Sequence, residues 1–342
     1  TATLPDLYVD GANITLPTDQ NIINDYYSVN QAHPRILTNS TKMQLADKYL
    51  TYALAIEKEQ TERNEYENLV INEINSKYKG EQVPIEYFRK MADEYNVIQA
   101  AAGSYVAVDT VYTYEYVSGS ISGVVKKMEA ETEQVGYIWL LYNARMQNIN
   151  QYKASFSSEE AYNNVVSIYQ DKDYNAYAER LKKILAYGTQ FKDWNPKDSF
   201  LDTGMMSYVM GLTYDWVYSY LTEDERAQFA ADIKRLGIEE GNSYIRCIYS
   251  QQRFRSNWSA VYLSGISTAS MAVFEYYPQM CGRQIADTVR FLPVFINQYS
   301  PGGALSEGTG YWILSERYIS YLLSSLNYTF KNDYGLLSVK GL

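Results

Sequence analysis

The chain has 342 residues, with 30 basic and 40 acidic side chains, a formal net charge of −10 and a single histidine. At 46% hydrophobic and 20% charged it has the make-up of a folded globular protein rather than a disordered one. The negative balance argues against general nucleic-acid binding, which needs a basic face, and no stretch approaches the roughly 18–20 apolar residues of a membrane-spanning helix.

With His33 alone, a multi-histidine zinc site or a Ser/His/Asp triad is hard to assemble, and no metal is expected in this chain. Cys247 and Cys281 are too few for a disulfide scaffold. Tyrosine is abundant, 36 against 10 Phe and 5 Trp, and most of these rings are expected to serve packing and surface. The chain starts at Thr1 without a methionine, so a processed or trimmed terminus is expected and an exported origin stays open.

In chain order, residues 1–39 read as an irregular arm, broken by Pro5, Gly11, Pro17 and Pro34. Regular helix is expected from Ser40, a good N-cap, through KMQLADKYLTYALAIEKEQ. The next helix is expected to stop at Gly80 and another to follow Pro84. Residues 104–120 carry the β-branched and aromatic content of a strand, with a buried helix as the alternative.

From about residue 123 the pattern is helix after helix. GVVKKMEAETEQVGYIWLLYNARMQ reads as one long element. YNAYAERLKKILAYG places Tyr177, Leu181, Ile184 and Leu185 on one stripe and Gly188 at its stop. LTEDERAQFAADIKRLG carries a capping box, Thr222 with Glu225, and Gly237 is expected to close it. Segments 259–274 and 313–330 lack a clear polar face and are expected to be buried on several sides. Amphipathic helices alternating with buried, small-residue ones point to an all-α chain, a single toroid-like domain built as a double ring of hairpins. No roughly 34-residue tetratricopeptide period is visible.

Three segments have compositions that propensity does not explain. In 191–204, Trp194 is either the plug of a helix hairpin or a sugar-stacking ring, and Asp202 with Thr203 is placed to cap the next helix. In 253–265, Arg253 and Arg255 precede Asn257 and Trp258, where Ser256 or Asn257 also makes a simple N-cap. Between Gly241 and Phe274 there is no acidic residue, while Arg246, Arg253 and Arg255 all fall inside. Guanidinium forks bind carboxylates and sulfates bidentately, so this basic island points to an anionic ligand. In 299–318, four glycines within ten residues are followed by Tyr311 and Trp312. The Lys-Ser/Thr of nucleotide loops is missing, which argues against ATP or GTP.

The ordered set HPRI (33–36), WNPKDSFLDTG (194–204), LTYDWVYSYLTEDER (212–226), SNWSAVYLSG (256–265) and PGGALSEGTGYW (301–312) resembles the heparinase II/III-like polysaccharide lyases. The resemblance implies an (α/α) toroid over 40–335 and a linker starting at 336–342. It also implies a C-terminal β-sandwich domain lying outside this chain, where any structural metal would sit. It implies a secreted, periplasmic or cell-surface enzyme whose signal peptide has been removed. The partners it implies are its own β-domain and an acidic, uronic-acid polysaccharide, glycosaminoglycan/heparin-like or alginate-like, cleaved by β-elimination.

Carried over by motif, Asn257 matches the residue that neutralises the uronate carboxylate and Tyr311 the tyrosine that works as acid/base. Glu307 is assigned a supporting or subsite role, and Arg253 and Arg255 are substrate-anion candidates from charge. Trp194, Trp258 and Trp312 are assigned to substrate contact. Two departures stand out: Trp258 occupies a position that is His in some members, and Ser315 one that is Arg in others. The family's base is often a β-domain His, whereas His33 matches a structural segment. The rival readings are a glycoside hydrolase using Asp202 and Glu307, and a non-catalytic glycan-binding module using Trp194, Trp258 and Trp312.

Overall fold

A computed structural model describes residues 14–29, 31–78, 84–170, 174–249, 255–299, 302–339 and 341–342, with side chains omitted at 246–249. In chain order the helices are α1 (Asp19–Ser28), α2 (Ser40–Ala55), α3 (Glu65–Tyr78), α4 (Ile85–Val108), α5 (Ser122–Gln151), α6 (Glu159–Gln170) and α7 (Asn175–Gln190). They continue with α8 (Phe200–Val217), α9 (Glu223–Ile233), α10 (Glu239–Tyr249), α11 (Asn257–Ala272), α12 (Pro278–Ile296) and α13 (Thr309–Phe330). The described residues contain no strand, only an isolated bridge between Val117 and Ser120. The fold is all-helical. No described helix is long and apolar enough to cross a membrane.

The chain divides into two compact units. The first takes residues 1–38, 111–129 and 184–342, and the second 39–110 and 130–183.

The second unit is organised around Asp47 on α2, which is fully buried. It accepts from Arg145 Nε (2.8 Å), Tyr66 Oη (2.8 Å) and Asn148 Nδ2 (3.0 Å). A buried carboxylate persists only when paired and hydrogen-bonded, and here two helices, α3 and α5, supply the partners. Tyr66, Val70, Ile74, Phe88, Ile149 and Val165 form the apolar core beside it.

The first unit is built on α8 and α11. Every residue from Asp202 to Val217 and from Ser259 to Ala272 is buried, as expected for 259–274. Glycine lets the two backbones touch. A Cβ on Gly265 would fall 2.0 Å from the Gly204 carbonyl oxygen, and one on Gly211 would fall 2.8 Å from Ala269 Cα. The flanks of α11 are covered by α12 and α13, and α1 packs on α12. Segment 313–330 is more one-sided than expected, since Ile313 is 58% exposed while Tyr318, Leu322 and Leu326 are buried.

Several local expectations change. The arm contains α1, started by a Thr18/Asn21 capping box. Asn39, not Ser40, caps α2, accepting from Lys42 N. The stretch 104–120 is helical to Val108 and irregular beyond it, because its tyrosines find polar partners instead of a neighbouring strand: Tyr114 donates to Asp193 and Tyr116 to Asp198. The Thr222/Glu225 box is present at α9, and the long 123–147 element is part of α5.

Gly188 and Gly237 do not end helices. Gly188 lies inside α7 against Met206 and Met210, and Gly237 lies in a π-helical turn, Lys234–Ile238, that joins α9 to α10. Both serve close packing, where a Cβ would clash. Gly80 lies outside the described residues.

Candidate functional site

The five sequence motifs lie in the first unit, where HPRI touches the 212–226 segment, 194–204 touches 256–265, and 256–265 touches 301–312; the contacts sort them into structural ties and an open site. Trp194 is fully buried, its Nε1 donating to the Gly188 carbonyl (2.9 Å), and a Cβ on Gly237 would lie 2.7 Å from its ring. The plug reading holds. Trp194 is not a stacking platform, because no ring face is open.

Asp202 and Thr203 do not cap α8. Ser199 holds that position, while Asp202 accepts from Ile121 N (2.8 Å), Ser120 Oγ (2.9 Å) and Asn195 Nδ2 (2.8 Å). Thr203 donates to the Trp194 carbonyl (2.8 Å). A fully buried carboxylate saturated in this way is a tie, not a hydrolase acid.

HPRI meets the YDW motif. The His33 ring stacks on Tyr218 with centroids 3.7 Å apart; its Nδ1 lies 2.5 Å from Asp215 Oδ1 and its Nε2 3.0 Å from Glu275 Oε1. Each ring nitrogen thus faces a carboxylate oxygen. Asp215 also accepts the backbone N–H groups of Arg35 and Ile36, and Arg35 pairs with Glu275 while donating to the Met271, Ala272 and Gln31 carbonyls. Burial works to raise the Glu275 carboxyl. The His33 hydrogen bond and the Arg35 charge overcome it and bring it down to about 2. A cleft of about 490 Å³ lies over this network, lined by Tyr26, Gln31, His33, Tyr218, Arg226 and Glu275.

The open site is where SNWSAVYLSG meets PGGALSEGTGYW. Ser256 holds the N-cap position of α11 without a side-chain bond to the helix. Instead Glu307 reaches across: Asn257 N donates to Oε2 (3.0 Å) and Asn257 Nδ2 to Oε1 (3.1 Å). Asn257 is 5% exposed, and its Oδ1 has no partner. Tyr311 stands in the first turn of α13, 52% exposed. Trp258 and Trp312 are 40% and 39% exposed, and Trp312 Nε1 is anchored on the Gly303 carbonyl (3.0 Å).

Arg255 is exposed, and its carbonyl accepts from Gln298 Nε2 (2.6 Å). Arg253 lies outside the described residues, as does the Arg246 side chain. The acid-free run from Gly241 to Phe274 is not acid-free in space, because Glu307 closes on its Asn257.

Tyr299, fully buried, was not singled out by sequence. Burial first, then the Glu316 and Glu307 charges, push its phenol well above the usual range. Among so many tyrosines no sequence signal marks it. Among the described residues no three His, Cys, Asp or Glu side chains converge as a metal site.

No family model matches this chain, and no curated protein does.

Proposed function

We propose that this chain is the helical, (α/α) toroid part of a polysaccharide lyase that cleaves a uronic-acid glycan by β-elimination, completed by a β-sandwich domain of the same protein. The observation that carries the reading is the Asn257–Glu307 contact. It draws two distant motifs into one place, with Tyr311, Trp258 and Trp312 exposed on the same two segments.

In this reading the Asn257 amide takes the uronate carboxylate, easing the charge that develops when the C5 proton leaves. The C4–O bond then breaks, and the Tyr311 phenol gives its proton to the departing oxygen. A phenol is a much stronger acid than the alcohol it protonates, so it is a fair donor to an alkoxide. His33 is held on both sides by carboxylates, so the reading assigns the base either to Tyr311 itself or to a β-domain histidine. Trp258 and Trp312 stack on sugar rings, and Arg255 contacts substrate anions; Arg253 keeps that assignment from charge alone. An exported location follows from a polymeric substrate.

The exposure of Trp258 and Trp312 also favours a second reading, a glycan-binding module without catalysis. The hydrolase reading loses Asp202 to burial.

Incubation with uronic-acid glycans separates these readings. Ultraviolet absorbance from unsaturated uronate ends is expected of the lyase, from this chain or from one extended past Leu342. Binding without cleavage by both proteins selects the module. Reducing ends without absorbance would sink the lyase.

A further inference from the structure

The cleft over the His33 network, about 490 Å³, falls in the size range of small-molecule sites. The charges beneath it are answered. Glu275 meets His33 at Oε1, and Arg35 and Tyr26 at Oε2, while Asp215 meets His33 and the backbone of Arg35 and Ile36. The charge at the rim is not. Arg226, on α9, donates from Nε to the Tyr218 carbonyl (2.9 Å), and its guanidinium carbon lies 4.3 Å from the centre of the Tyr218 ring. His33 stacks on that ring at 3.7 Å. Each face has room for one neighbour, so imidazole and guanidinium hold opposite faces.

These contacts hold the guanidinium still and use one of its five N–H groups. No described residue accepts from its two amino groups, in a chain with 40 acidic side chains against 30 basic. Glu223, Asp224 and Glu225 precede Arg226 in the first turn of α9, yet none pairs with it, and Glu225 closes the capping box on Thr222 N. A fixed fork with both amino groups unspent engages a carboxylate bidentately. Acceptors for hydroxyl groups lie in the same cleft. Gln31 donates from Nε2 to the Tyr26 carbonyl and leaves Oε1 open, and Glu275 Oε1 faces only His33 among the described residues.

The cleft stands apart from Asn257. Asn257 begins α11, Glu275 lies three residues past its end, and the helix between them is about 24 Å long.

We propose that this cleft is a second ligand site, taking a hydroxylated carboxylic acid of sugar size with its carboxylate on Arg226. The site is independent of the lyase reading. A neutral sugar brings the hydroxyls without the charge, and acetate brings the charge without the hydroxyls.

A ligand-observed NMR titration of the 342-residue chain with D-glucuronate, D-glucose and acetate tests this. Glucuronate is expected to bind about tenfold more tightly than either of the others. Arg226→Gln is expected to weaken glucuronate about tenfold or more, while Asn257→Ala leaves it unchanged. Binding that disappears in Asn257→Ala and survives in Arg226→Gln overturns the inference and moves glucuronate to the start of α11, where the lyase reading places it. Equal binding of glucose overturns it, because Arg226 would not be reading a charge. Equal binding of acetate overturns it too, because the cleft would hold an adventitious ion only. Absence of glucuronate binding by the native chain has the same force. If circular dichroism shows that Arg226→Gln does not fold, Ser219→Trp carries the test. It fills the cleft from an exposed position and is expected to remove glucuronate binding; retained binding there overturns the inference.

Discussion

Two polar clusters in the first unit use the same residue types to opposite ends. Within the His33 network, every charged group is answered: Asp215 by two backbone N–H groups and an imidazole, Glu275 by His33 and Arg35, and Arg35 by three carbonyls as well. Around Asn257, one carboxylate answers two donors, an amide oxygen is left over, and three aromatic side chains stand open to solvent. The lesson is that saturation, not residue identity, separates a polar tie from a site. A motif rich in His, Asp and Arg built the tie, and one with an amide, a single acid and a phenol built the open cluster.

That contrast is breakable by stability measurements, taken from the largest effect down. Asp215→Ala leaves His33 and the Arg35 and Ile36 amides facing an empty, buried position, and is expected to cost about 3–5 kcal/mol in urea unfolding. A loss below 1 kcal/mol would mean the network is not a tie.

Glu275 gives a pH signature. Its carboxyl lies lower in the folded chain than in the unfolded one, so its contribution is present above about pH 4.5 and is lost as the pH falls toward 2. The loss is expected to be on the order of 3 kcal/mol. Glu275→Gln is expected to be less stable at neutral pH and to lack this share of the acid transition, as acid titration followed by circular dichroism would read.

Glu307→Ala, by contrast, is expected to cost about 1 kcal/mol in the same urea assay, the scale of a lost helix cap. Smallest of all, Tyr311→Phe is expected to change stability by less than about 0.5 kcal/mol, since the exposed hydroxyl holds nothing together. In a chain extended past Leu342 the same change is expected to abolish cleavage while binding persists. Full activity there would remove Tyr311 from the chemistry.

Much of the helical layout was legible because it rests on local signals. The Thr222/Glu225 box, the start after Pro84 and the apolar run 259–274 each act within a few residues. What the sequence hid depends on contacts between distant residues. Gly188 and Gly237 look like helix stops, since glycine is common there, yet both sit where another side chain presses on the backbone. Trp194 has the neighbours of a loop residue in sequence, and only packing from Gly237 shows it to be a plug.

At the candidate site the residue types of Asn257, Glu307 and Tyr311 were legible. The bond between the first two was not, because fifty intervening residues carry no period linking them. Along the chain the basic island shows no acid for the same reason: counting charges in sequence misses a carboxylate, Glu307, that arrives from elsewhere.

The backbone contact between Gly204 and Gly265 has a consequence for how the site holds its aim. Gly265 lies eight residues along α11 from Asn257, about 12 Å at the rise of an α-helix. With Gly204 pressed against it, α11 is clamped like a shaft in a bearing, and Asn257 rides at the free end of that shaft. A single methyl added at the bearing has no room to sit, so it tilts or slides the shaft and carries the amide out of line with Glu307, while every residue at the mouth of the site stays the same.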